Sequence, residues 1–287
     1  MSGYIKMALL LIIILTSVTQ TANAEIAGII AEAEAAYRAG MYEKCLELYK
    51  EAIGIELQPN RVYYDAACCA ALSGRDKTAL DYLAFIAANG FKDYEKIKSE
   101  SNLVGIHGNP RWDEILNQIE LNLKDYLSRI NVELYEMVQE DQRLWNLPED
   151  SVNRGAVEAA DRKHREKAME ILASEGLRHP DDYFHAALIF QHGDLPSDYQ
   201  MAHELARSGL TLDSTHAALR WLFALTKDRW LWSVGKAQIY GTQSTIRDGR
   251  WTLEPLDTMA VTDEDREALG LPSLEYYINR VKNLNNE

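Results

Sequence analysis

Apolar positions in the first third of the chain repeat with a fixed period. Gly40, Gly74 and Gly108 stand 34 residues apart. Counted from Gly40, Cys45 lies at +5 and Tyr49 at +9; counted from Gly74, Ala79 and Leu83 take the same places. Each glycine ends one helical pattern and precedes the next. Ala31–Ala39 and Tyr63–Ser73 read as the first helices of two pairs, and Tyr42–Gly54 and Lys77–Ala88 as the second. Small residues at Ala33, Ala67, Cys45 and Ala79 let paired helices approach closely. Pro59 marks a break after the first pair. From about Lys124 the period is gone. Leu127, Ile130, Leu134, Met137 and Val138 predict one long helix running toward Leu144. Asn146–Gly155 reads as a loop. Helices follow at about 156–175, from Asp181 to Gly193, at 198–208 and at 215–227. Ile239–Ile246 and Arg250–Leu253 flank an Asp248-Gly249 pair, a strong hairpin signal. Thr262 and Ser273 cap two further helices. The expected fold class is mainly α: helical hairpins over 25–123, then a mostly helical domain over 124–287 with one β-hairpin at about 238–254.

A 34-residue helix-turn-helix period is the tetratricopeptide spacing. The stretch Y-R-A-G-M-Y-E-K-C-L-E-L-Y-K-E-A-I, residues 37–53, resembles that family at Gly40, Tyr42, Tyr49 and Ala52, with Cys45 in place of the usual alanine. Y-D-A-A-C-C-A-A-L-S-G-R-D-K-T-A-L, N-G-F-K-D-Y-E-K-I-K and N-P-R-W-D-E-I-L are similar to the unit that closes such arrays. The third period departs from the repeat, since Asp113 and Asn117 replace its small and aromatic positions. It reads as a cap, with Pro110 at a helix N1 position. The resemblance implies a concave groove that holds a peptide or protein partner. A spacer or docking surface for the following domain is the other reading.

Lys6, the apolar stretch Ala8–Val18 and Ala22-Asn23-Ala24 predict a signal peptide over 1–24, cleaved before Glu25. The apolar stretch of eleven residues is shorter than the roughly 20 of a membrane span. A membrane is therefore met only through this segment, if it stays uncleaved, and the expected location is periplasmic or secreted. The formal charge is −14. That balance argues against nucleic acid and anionic membranes as partners. Cys45, Cys68 and Cys69 make an odd count for an exported chain. Their alanine-rich context suits packing, and a bridge from Cys45 to either Cys68 or Cys69 stays open.

Five of the six tryptophans, at 145, 221, 230, 232 and 251, fall in the second half. Trp221 and Trp230 are expected in its core. The same half resembles an uncharacterised bacterial domain family over roughly 130–280. The strings that carry the resemblance are E-D-Q-R (140–143), H-A-A-L-I-F-Q-H-G-D (185–194), D-R (228–229), G-K-A-Q-I-Y-G-T-Q (235–243) and R-E-A-L-G-L-P-S-L-E-Y (266–276). Gly176-Leu177-Arg178-His179-Pro180 departs from the Gly-Trp-Pro-like turn expected there. The resemblance implies a domain and no activity.

The shared strings are polar, and this makes them candidates for chemistry. His192 is the candidate acid or base, because imidazole titrates near neutrality. Asp228 or Asp141 would orient it. Arg229 would hold a carboxylate or phosphate. Gln238, Tyr240 and Thr242 alternate, so on a strand they would share one face. With Gln142, Gln191 and Gln243 they complete the candidate ligand-binding set. Three readings follow: a domain that binds a small polar ligand, a hydrolase-type enzyme using His192 with a carboxylate, and a purely structural network. No H-E-x-x-H, C-x-x-C, G-x-G-x-x-G, Walker loop or G-x-S-x-G occurs, so no cofactor or metal is expected.

Overall fold

Gly40 and Gly74 turn the chain where the period sets them. In the computed structural model, which describes residues 25–145, 154–174 and 176–285, both have φ of +72°. That left-handed geometry is strained for any residue with a Cβ. It lets the Met41 N–H donate to Ala36 O at 2.9 Å and the Arg75 N–H to Ala70 O at 2.8 Å, which closes each helix with a Schellman motif. Gly108 is not left-handed, and there the repeat ends. The expected signal segment and residues 146–153 of the expected loop lie outside the described residues.

The chain divides into two units, one up to Tyr126 and one from Leu127. The first holds α1 (25–38), α2 (Tyr42–Ile55), α3 (Asn60–Leu72), α4 (Asp76–Ala88), α5 (Tyr94–Ser99), the 3-10 helix η1 (Ser101–Ile106) and α6 (Pro110–Arg129) apart from its last three residues. Ala33, Cys45, Ala67 and Ala79 are all completely buried where the hairpins pack. Leu46, Leu80, Leu83 and Ile86 fill the space around them, each contributing about 1.5–3 kcal/mol of burial. Cys45 and Cys69 form a disulfide across α2 and α3, and Cys68 is a buried free thiol. Burial pushes that thiol up to about 12, so it is not a nucleophile near neutral pH. The array is compatible with tetratricopeptide-like repeats.

The second unit holds α7 (Val132–Trp145), α8 (Arg154–Ala173), α9 (Pro180–Gln191), α10 (Pro196–Leu212), α11 (Ala217–Ser233), strands β1 (Ser244–Arg247) and β2 (Arg250–Leu253), α12 (Asp263–Ala268) and α13 (Leu274–Leu284). α9 is its centre, packed against α7, α8, α10 and α11 through Ala186, Ala187, Ile189 and Phe190. Asp248 and Gly249 turn the hairpin with φ of 51° and 74°, so Arg247 pairs with Arg250, as a type I′ turn requires. The chain is mainly α, with this one hairpin among the described residues.

Three expectations need correction. The long helix through Leu127 and Leu134 is two helices, broken at Ile130–Asn131. Asn131 Oδ1 accepts from the Leu134 N–H at 3.1 Å, an N-cap that starts α7, while the Asn131 N–H donates to Asp182 at 2.6 Å. Trp221 lies on the outer side of α11 and is 43% exposed, outside the core. Residues 238–243 are not a strand, for a reason given by Asp228.

Candidate functional site

Asp228, on α11, is completely buried. Its Oδ1 accepts the N–H groups of Ile239 (2.8 Å) and Tyr240 (3.0 Å), and its Oδ2 accepts the N–H (3.0 Å) and hydroxyl (2.9 Å) of Thr242. Successive N–H groups on a strand point to opposite sides. One oxygen that takes both 239 and 240 therefore bends the segment out of strand geometry. Gly241, at φ +89°, completes the bend. Gln238, Tyr240 and Thr242 consequently do not share a strand face.

From the other side, the buried Arg266 donates to the carbonyls of Tyr240 (Nε, 3.0 Å) and Ile239 (Nη2, 3.2 Å). The peptide group between Ile239 and Tyr240 is thus held at both ends. Gln238, also fully buried, donates to the carbonyls of Gln243 and Glu254 at 2.9 Å and accepts the Gln243 N–H at 2.8 Å. Gln243 donates to Thr242 Oγ1 at 2.9 Å. Burial, with the Asp228 carboxylate, holds the Tyr240 phenol above its ordinary range. These groups bind backbone and one another. Arg229 turns away from Asp228 and lies over the Tyr199 ring at 5.2 Å.

The partner of His192 is Asp141. Asp141, on α7, is 2% exposed, and His192 Nδ1 lies 3.6 Å from its Oδ2. The other oxygen of Asp141 meets His164 Nδ1, on α8, at 2.6 Å. His164 Nε2 lies 3.5 Å from Glu140. Gln191 Nε2 approaches His192 Nε2 at 3.1 Å. With the Nδ1 side of His192 turned to a carboxylate, the consistent assignment makes Gln191 the donor and His192 Nε2 the acceptor.

Asp161, three residues before His164 on α8, joins the cluster. Burial raises its carboxyl, the Asp141 charge raises it further, and His192, Arg165 and His164 oppose. Asp161 Oδ1 and Gln191 Oε1 are buried and have no hydrogen-bond partner among the described residues. Gln142 is exposed on α7 and stays outside this group. The chain then turns at Gly193, where a Cβ would lie 2.3 Å from the Asp198 Cβ. Asp198 needs that space, because its carboxylate caps α10 by accepting the N–H groups of Asp194 and Leu195 at 3.1 Å. His164 and Asp161 are functional candidates that the sequence reading missed. Their i, i+3 spacing puts them on one helix face, but nothing in the sequence singles out that face of a highly charged helix.

A second candidate lies in unit 1, also missed. Tyr37 from α1, Tyr49 from α2, Arg61, Tyr64, Asp65 and Cys68 from α3, and Glu100 before η1 with Asn102 in η1 line a cleft of about 370 Å³. That volume is in the ~300–1,000 Å³ range of ligand sites. Tyr64 donates to Glu100 at 2.8 Å, and Asn102 donates to Tyr37 Oη at 2.8 Å. Arg61 reaches across to Glu34 (3.2 Å) and Asp65 (3.5 Å).

Fold and geometry together define a helical-hairpin unit with a polar cleft, followed by a helical domain with a buried carboxylate–imidazole cluster. Residues 185–285 match the model of a family described as a family of unknown function (DUF6624). The match takes in His192, Asp228, the 238–243 segment and Arg266, and begins after Asp141 and His164. It supports an uncharacterised C-terminal domain. No curated protein matches the chain.

Proposed function

We propose that the chain is an exported cell-envelope protein in which the tetratricopeptide-like unit docks a protein or peptide and unit 2 binds a small polar ligand at the Asp141–His164–His192 cluster. One observation carries the ligand reading. Asp141 directs its buried carboxylate at two imidazoles, while Asp161 and Gln191 beside it keep buried acceptor oxygens without donors. Each such oxygen costs about 1–3 kcal/mol, and a ligand bearing N–H or O–H groups would satisfy them. A cluster that served only the fold would resemble Asp228, whose bonds go to the backbone. The A-x-A pattern supports export, as does the Cys45–Cys69 disulfide, a bond that persists in oxidising compartments.

The test is a thermal-shift screen of the full chain against amino acids, amino sugars, polyamines and sugar phosphates. A compound that raises the melting temperature of the wild type but not of Asp161→Asn supports the reading. A shift retained in that variant, or none across the set, contradicts it.

A second reading is a hydrolase-type enzyme, and the Asp141–His164 contact favours it. A buried carboxylate on Nδ1 orients an imidazole and leaves Nε2 for proton transfer. His192 would then be the ring that Asp141 also steadies, with Gln191 on its Nε2. Turnover of chromogenic esters, phosphoesters or glycosides by the wild type, lost in His164→Gln, would support this reading; inertness toward all three would remove it.

A further inference from the structure

The cleft of unit 1 separates its charges by depth. Arg38 is exposed and the Arg61 side chain is 76% exposed, so both guanidinium groups belong to the rim. The inner wall consists of the buried Tyr49 and Tyr64 rings, the half-buried Asp65 carboxylate and Glu100. Arg61 leans over this wall to reach Glu34 and Asp65. Lys96, also exposed, holds its ammonium 4.6 Å from the centre of the Tyr64 ring. The protein's own exposed cations thus occupy the two kinds of place that attract cations, a carboxylate pair and an aromatic face. The hold on Arg61 is weak, because an exposed ion pair contributes only about 0.2–1 kcal/mol.

We infer that this cleft is a receptor for a lysine or arginine side chain of a partner protein, which displaces Arg61 from Glu34 and Asp65 and seats its cation between Asp65 and the tyrosines. The inference rests on the docking role proposed for unit 1 and supplies its chemistry. The chain's charge of −14 draws a basic segment toward it before contact. Burial keeps the Asp65 carboxyl above its ordinary range in spite of Arg61 and Lys96 nearby. An added cation therefore compensates a charge that the free protein leaves poorly solvated. The cleft accommodates one or two side chains, so the partner presents them on an exposed loop or terminus.

The test uses the full chain and three synthetic heptapeptide amides that alternate alanine with lysine, glutamate or glutamine, followed by calorimetry. The lysine peptide should bind, and the glutamate and glutamine peptides should not. Asp65→Asn should weaken lysine-peptide binding by about tenfold, the scale of one charge-assisted hydrogen bond. Arg61→Gln should strengthen it several-fold, because it removes the competing cation. A melting temperature no lower than the wild type's in both variants excludes misfolding. Preference for the glutamate peptide, weaker lysine-peptide binding in Arg61→Gln, or no binding of the lysine peptide at ~1 mM overturns the inference. A photo-crosslinker in place of the exposed Tyr37 separates this failure from that of docking itself. Crosslinking in cells to an acidic or apolar segment removes the cation and keeps the docking role. Absence of any crosslinked partner removes both.

Discussion

Asp141 and Asp228 are both buried carboxylates on helices of the same unit, yet they are used in opposite ways. Asp228 takes three backbone N–H groups and one hydroxyl, none of which titrates. Asp141 takes two imidazoles, with a second buried carboxyl, Asp161, beside them. A carboxylate satisfied by backbone fixes the course of the chain. One that faces titratable side chains beside unpartnered acceptors leaves acceptor sites unfilled. Polar strings in a sequence do not reveal which kind they belong to; the partners do.

Substitutions at the two carboxylates' surroundings should separate their roles. The largest effect is expected in the framework. Arg266→Met should cost about 3 kcal/mol in urea unfolding, because it strands the buried Tyr240 carbonyl and the half-buried Ile239 carbonyl and removes a buried charge from its partners. A loss near zero would show that Asp228 alone holds the 239–242 segment. Gly193→Ala should cost about 2 kcal/mol by overpacking against Asp198. If it is silent, the α9–α10 turn relaxes, and the position of His192 is less fixed than the account requires.

At the cluster the sign should reverse. Burial raises the Asp161 carboxyl, so the folded state holds its proton more tightly than the unfolded chain does. That contribution is present at acid pH and is lost as pH rises through the folded value. Asp161→Asn should therefore stabilise the protein at neutral pH, by about 1 kcal/mol on the scale of an unpaired buried polar atom, and the gain should vanish in acid. Stabilisation together with loss of ligand binding would mark a residue kept for function.

The smallest effect concerns His203, a framework histidine whose Nδ1 meets the Phe223 carbonyl at 3.1 Å. Burial lowers its imidazole below the ordinary ~6.5. The unfolded state then binds the extra proton first, and stability is lost as pH falls below about 6.5. His203→Phe should flatten that part of the pH profile; an unchanged profile would assign the loss to other groups.

The hairpin array was legible because Gly40 and Gly74 mark backbone turns that few other residues can make, and because Ala33, Cys45, Ala67 and Ala79 recur where helices touch. The Asp-Gly turn announced its hairpin for the same local reason. Where tertiary contacts decide, the sequence misled. Apolar spacing runs through Ile130 as if the helix continued, because the break comes from Asn131 reaching Asp182 in another part of the chain. The alternation of Gln238, Tyr240 and Thr242 imitates a strand, but one carboxylate collects its successive N–H groups. Asp141 and His192 were both visible as candidates. His164 was hidden among the charges of α8, since only contact with α7 reveals which of them turn inward. The cleft was invisible because its lining comes from α1, α2, α3, η1 and the residue before η1, with no common motif.

The most direct test of the division between framework and cluster is a side-by-side measurement of unfolding free energy for Asp228→Ala and His192→Ala. The first should lose about 3–5 kcal/mol, since three N–H groups lose their fully buried acceptor. The second should lose about 1 kcal/mol or less, because Asp141 keeps His164 as its partner. Equal and large losses would contradict the account and make the imidazole cluster a second part of the framework.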